Sequence, residues 1–148
     1  MAQRRSNVSD WSEVPKWLQP RPTAEEHEFW AGAGRGELRI QHCTTCDALH
    51  HPPRPMCGEC RSTDLDWIDA AGTGTVYSYA LLHHPQHPAF DYPVPAVLVD
   101  LDEGVRVLSN LVGIDPQAIR IGLPVRVDFE PAGDDLAAPV FRPRDDTR

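Results

Sequence analysis

Hydrophobic positions fall along the chain at two periods, and the change comes early. Thr23-Ala24-Glu25-Glu26 reads as a capping box, with Thr23 capping a helix and Glu26 reaching back to its amide. The helix is expected from about Ala24 to Ala31, with Phe29 and Trp30 as its main apolar residues and Gly32, Gly34 and Gly36 ending it. So short a helix is marginal in water unless tertiary packing holds it, so both rings must pack against something.

Beyond Gly36 the period becomes two. Glu37 to Gln41 alternates and reads as a strand, and Leu65, Trp67 and Ile68 suggest its partner. Ala70-Ala71-Gly72 looks like a joint. Gly74 to His83 carries the β-branched and aromatic residues of a long curved strand. Ala96 to Leu101 and Val105 to Val112 flank the turn Asp102-Glu103-Gly104 and form a hairpin. Asp115 to Arg120 fits a single helical turn with Asp115 as cap and Pro116 at the first position. Val125 to Glu130 alternates cleanly, and Val140 with Phe141 forms a last edge strand. Five strands with one short helix between the third and fourth follow the order of an OB-fold barrel, so the fold class is mainly β.

All four cysteines stand in one stretch, as two Cys-x-x-Cys pairs ten residues apart: Cys43 with Cys46, and Cys57 with Cys60. Two such turns facing each other supply the closed tetrahedral shell of structural zinc, and we read a zinc ribbon. Iron in a rubredoxin-like site uses the same ligands. Disulfides need an oxidising compartment, and the opening Met-Ala-Gln-Arg-Arg lacks the apolar run of a secretion signal, so the expected location is cytoplasmic. A redox motif would use one pair near a βαβ pattern, which is absent here. His42, His50 and His51 border the cluster as alternative ligands; with four cysteines present they are expected at the surface. A closed four-thiolate shell leaves no position for substrate, so the metal acts on folding rather than on chemistry.

The expected organisation is a flexible arm over 1–22, the N-terminal helix in 23–36, the ribbon over 37–70, the OB-fold domain over 71–143 and a tail over 144–148. Charge narrows the function. With 14 basic against 22 acidic residues the net charge is −8, which opposes nucleic-acid binding. No apolar stretch approaches the length of a membrane span. There is no nucleophile elbow, phosphate-cradling loop or dinucleotide fingerprint, and no catalytic residue is assigned.

The unusual cluster outside the cysteines is the loop His83 to Pro95. Its His84, His87, Phe90 and Tyr92 are candidates for a ligand or partner contact. A catalytic reading would make one histidine a general base; the competing reading is a proline-stiffened contact loop. Trp17 in the arm, with Phe29 and Trp30 of the helix, joins the contact candidates because aromatic anchors dominate interfaces. Arg54, Arg61, Arg106, Arg120 and Arg126 are candidates for phosphate contact and are left unassigned.

Taken together, Phe29-Trp30, Leu38 to Cys46, His51 to Cys60, Gly72 to Ser78 and Leu108 to Gly113 resemble the acyl-CoA-associated OB-fold proteins with an N-terminal rubredoxin-like zinc ribbon, a family first catalogued as a domain of unknown function. The match runs from about Thr23 to Pro143. The resemblance implies an accessory, non-catalytic subunit of a thiolase-like or lipid-transfer-protein-like enzyme, either a ketothiolase or a retro-aldolase that shortens steroid side chains. The partner would carry the catalytic residues, in a two-plus-two hetero-oligomer acting on a coenzyme A thioester. Other members are fused to hydratase-like domains. By matching position, Cys43, Cys46, Cys57 and Cys60 inherit the zinc role. The competing class is an independent binding module for an acyl-CoA, a lipid-like ligand or nucleic acid on the same fold.

Overall fold

The computed structural model describes residues 19–88, 90–133 and 136–145. Among these residues one α-helix, α1 (His27–Gly34), precedes eight strands, and the change of period at Gly36 marks where the chain passes from helix to sheet. The helix starts three residues later than the capping box suggests. Glu26 does reach back, its carboxylate accepting the Thr23 amide at 3.1 Å, but the Glu26 amide bonds the Thr23 carbonyl and closes a turn instead. Glu26 thus becomes the N-cap, without a side-chain cap bond, and Gly32 and Gly34 lie inside the helix. Gly36, at φ +77°, turns the chain into the sheet.

Three strands form the ribbon: β1 (Leu38–Cys43), β2 (Leu49–His50) and β3 (Leu65–Ala70), in the order β2-β1-β3, all antiparallel. The two-residue β2 is too short for alternation to reveal. Five more strands form the second sheet: β4 (Thr73–Leu82), β5 (Val94–Leu101), β6 (Arg106–Asn110), β7 (Pro124–Pro131) and β8 (Ala137–Pro143). Their order is β6-β5-β4-β7-β8. Leu111 bridges Phe141 in parallel and the Val112 amide bonds the Phe141 carbonyl at 2.9 Å, which brings the two outer strands together into a nearly closed barrel. The last strand is therefore longer than Val140-Phe141 and is not an open edge, because closure removes unpaired edges. This is the OB-fold arrangement.

The long strand β4 curves as its composition suggests: pairing with β5 shifts between Val76 and Ser78, leaving Tyr77 as the extra residue of a bulge. Between the third and fourth barrel strands stands a 3-10 turn, Pro116–Ala118, capped by Asp115, whose carboxylate accepts the Gln117 amide at 2.8 Å.

One apolar cluster runs through both sheets. Val76, Val97, Val99, Leu101, Val107, Leu111, Val125 and Phe141 fill the barrel, and Leu38, Ile40, Ala70 and Phe29 continue it under the ribbon. Hydrogen bonds tie the joint between them to the barrel. The Ala71 amide donates to Glu103 Oε1 at 2.6 Å, and the Asp102 amide to the Thr73 carbonyl at 2.9 Å. Gly72, at φ +75°, admits no side chain, since a Cβ there would strike Val127.

Candidate metal centre

The two Cys-x-x-Cys turns are built alike. Cys43 opens the first at the end of β1, where its carbonyl accepts the Asp47 amide at 2.9 Å. In the second, the Cys57 carbonyl accepts the Arg61 amide at 3.1 Å. After each second cysteine the chain takes the left-handed conformation, at Asp47 (φ 62°) and Arg61 (φ 63°). An aspartate tolerates that region; an arginine there is strained. Thr45 Oγ1 bonds Ser62 Oγ at 2.9 Å and Thr44 Oγ1 bonds the Asp64 carbonyl at 3.0 Å, so the two turns are clamped face to face.

That clamp brings four sulfurs together. Cys43 Sγ lies 3.6 Å from Cys60 Sγ and Cys46 Sγ 3.6 Å from Cys57 Sγ, and all four ligand atoms lie within 4.8 Å of one another. A zinc ion with sulfurs at about 2.3 Å needs tetrahedron edges of about 3.8 Å. The separations fit, and the donor set is that of a structural site. The electrostatics point the same way. The Cys60 and Glu59 amides and His50 hold the Cys57 thiol down to about 5, against the effect of burial. The Ala48 amide favours the Cys46 thiolate, yet burial and the neighbouring sulfurs outweigh it and push that thiol up to about 12. Four crowded thiols cannot all ionise unaided, and a divalent cation at their centre makes it possible.

The three bordering histidines are not surface residues of one kind. His42 is half-buried and bridges Asp66 at 2.7 Å and Asp47 at 3.1 Å, contacts that raise its pKa. His50 is buried, with Nε2 at 3.2 Å from Cys57 Sγ. His51 packs on the Phe29 ring at 5.1 Å, and burial lowers its pKa to about 4. What marked them in the sequence was adjacency to the cysteines; their separate roles come from the strand register and the helix lying over it.

The contact candidates divide. Trp17 lies outside the described residues. Phe29 is buried at 8% exposure between Trp30 and His51, so it belongs to the core and presents no contact surface; Trp30 is half-buried. In the loop, the His87 amide donates to the Tyr92 hydroxyl at 2.8 Å and the His87 and Phe90 rings meet at 6.0 Å, while His84 stands exposed. Arg106 is already engaged: it pairs with both oxygens of Asp100, at 2.6 and 3.1 Å, and lies over the Tyr77 ring.

Alternation missed the outer face of β4-β5-β6. Opposite the buried Val97, Val99 and Val107, the register sets Leu82, Leu98 and Leu108 outward, with Leu82 47% and Leu108 65% exposed. The exposed Tyr77 joins them at the bulge. The signal was present in the sequence as leucines at polar-phase positions of strands.

Residues 30–66 match the family described as ChsH2, rubredoxin-like zinc ribbon domain, and residues 67–130 match ChsH2, C-terminal OB-fold domain. A protein of Thermomonospora curvata named "Probable enoyl-CoA hydratase alpha subunit" is 47% identical over 95% of this chain and 44% of its own length. The 3-oxo-4,17-pregnadiene-20-carboxyl-CoA hydratase alpha subunit of Mycobacterium tuberculosis is 36% identical over 84% of this chain and 40% of its own. The chain therefore spans less than half the length of these two relatives. A solved structure titled "Ltp2-ChsH2(DUF35) aldolase" contains a chain 47% identical, aligned with a TM-score of 0.79 over 84% of this chain and 98% of that one. Among the described residues no helix is long and apolar enough to cross a membrane. With ribbon and barrel both matched in order, and a 47% identical chain covered almost end to end, this protein belongs to the ChsH2 branch of the DUF35 family, a rubredoxin-like zinc ribbon joined to an OB-fold.

Proposed function

We propose that the chain is a non-catalytic subunit that binds and supports a thiolase-like acyl-CoA enzyme in the cytoplasm. The retro-aldolase of steroid side-chain degradation is the first choice and a ketothiolase the second. The partner carries the reaction on the coenzyme A thioester, and the two proteins form a two-plus-two assembly. The observation that carries this reading is the 98% coverage of a chain in the structure titled "Ltp2-ChsH2(DUF35) aldolase". The steroid acyl-CoA named for the mycobacterial relative supports the same substrate class.

The surface is consistent with a docking role. Leu82, Leu98, Leu108 and Tyr77 offer apolar contact on one side of the barrel, and the charges beside them, Asp100 and Arg106, neutralise each other. In a protein of net charge −8, the charged pair on this face thus compensates itself.

The test is co-expression with a thiolase-like chain encoded beside it. Recovery of both in equal amounts, with aldol cleavage or thiolysis of an acyl-CoA by the pair and by neither alone, is expected. Turnover by the purified chain without a partner overturns the reading. Tight, salt-sensitive binding of a single-stranded oligonucleotide would instead favour an independent OB-fold module.

A further inference from the structure

Among the described residues His50 is the one buried imidazole that reaches the cysteine sulfurs, and the four-sulfur set does not need it as a ligand. It sits on β2, directly opposite Gln41 of β1, and is only 6% exposed. Its Nε2 lies 3.2 Å from Cys57 Sγ, itself fully buried. Gln41 explains how the two meet. Buried at 4% exposure, its side chain donates to the Arg54 carbonyl at 2.9 Å and accepts the Arg54 amide at 3.0 Å. That two-way bond pins the proline-rich excursion between β2 and the second turn, so the chain returns with Cys57 against the imidazole.

We propose that His50 is the outer hydrogen-bond donor of the zinc site, giving its Nε2–H to the Cys57 thiolate and strengthening the hold of the four sulfurs on the metal. A metal-bound thiolate only accepts hydrogen bonds, so in this contact Nε2 carries the proton. Four thiolates around one divalent cation leave surplus negative charge, and at the buried Cys57 water is not there to solvate it. A donor to one sulfur spreads that charge without displacing a ligand. Groups of this kind orient ligands and tune metals, and losing one typically weakens binding about 10- to 100-fold. The inference is independent of any partner enzyme.

The test uses the full chain loaded with zinc at neutral pH. His50→Phe fills the same space without a donor and is expected to weaken zinc in competition with a chromophoric chelator by about tenfold or more. His50→Gln keeps a donor and is expected to recover part of that loss. Iron substitution adds a readout that packing alone would not move: without the hydrogen bond to sulfur, the reduction potential of the iron form falls. In the wild-type protein loaded with cadmium-113, a scalar coupling from the metal to the Hε2 proton of His50 reports the bond directly, and it decides the matter if His50→Phe does not fold. Proton occupancy on Nδ1 with no such coupling overturns the proposal, as does direct metal–nitrogen coupling, which would make His50 a ligand. Unchanged zinc affinity and iron potential in a folded His50→Phe protein also overturn it.

Discussion

The two ends of this molecule solve the same problem with different means. The barrel encloses a continuous set of apolar side chains, from Val76 to Phe141, each almost wholly withdrawn from water. At the far end of the ribbon, around Cys43 and Cys57, the buried residues are two cysteines, Gln41 and His50, and the extended excursion between them has little to bury. A barrel strand is held by area removed from water; the sulfur end is held by ligation and polar clamps. A chain too short to give every segment its own core can still order a segment if a metal supplies the missing free energy.

Removing the metal is the strongest way to break that contrast. Ligation in small zinc domains contributes an apparent 10–16 kcal/mol, on the order of a whole domain's stability. Exhaustive chelation, with metal loss verified, is expected to collapse the amide spectrum of residues 41–65 while β4 to β8 keep dispersed resonances at a lower melting temperature. Identical melts before and after chelation would contradict a structural role for the metal. Simultaneous loss of every resonance would show instead that the shared core, through Leu38 and Ile40, makes the two regions one unit.

Phe141 tests the other side. It is fully buried where the barrel closes against Leu111, and Phe141→Ala should cost about 3–5 kcal/mol in a denaturant melt of the zinc-loaded protein. Chelator competition should show zinc affinity little changed in whatever fraction remains folded.

Acid sharpens the boundary where helix and ribbon meet. His51 has its pKa lowered to about 4 by burial against Phe29, whereas in the unfolded chain it titrates near the usual value of about 6.5. Between those values the unfolded state binds the proton and the folded state does not, so stability falls as pH falls through that window. The contribution amounts to about 1 kcal/mol by about pH 5.5. His51→Phe keeps the ring and removes the titration. Urea midpoints at neutral pH and at about pH 5.5 should therefore converge in the variant relative to the wild type, and parallel curves would acquit His51.

The smallest expected effect lies in the second cysteine turn. Arg61 holds a left-handed conformation that disfavours most residues with a Cβ, arginine among them, so Arg61→Gly should stabilise the zinc-loaded protein by up to about 1 kcal/mol. A loss of zinc affinity in that variant would assign the arginine side chain a role at the site.

Much of the fold was legible along the chain, for reasons that differ by element. The four cysteines declared themselves because metal ligation demands one residue type at a fixed local spacing. The strand from Val125 to Glu130 was equally plain as a strand, but its alternation does not carry through: Phe129 is only half-buried, and Glu130, on the polar phase, is buried and accepts from Arg142 at 3.0 Å. The start of α1 was misplaced because a capping box and a tight turn use the same residues, and only the Glu26 amide's choice of the Thr23 carbonyl separates them. Phe29 read as an anchor for a partner and became core, because periodicity says that a ring must be buried but not against what.

By itself the sequence determined the two Cys-x-x-Cys turns, the period of each segment and hence the classes of ribbon and barrel, since these depend on neighbours a few residues apart. Tertiary structure decided which histidine meets a sulfur, which leucines face outward, and that Leu111 meets Phe141 to bring the sheet round on itself. Those outcomes rest on pairings between distant segments, whose register is set by the packing of the whole core rather than by any residue's immediate surroundings.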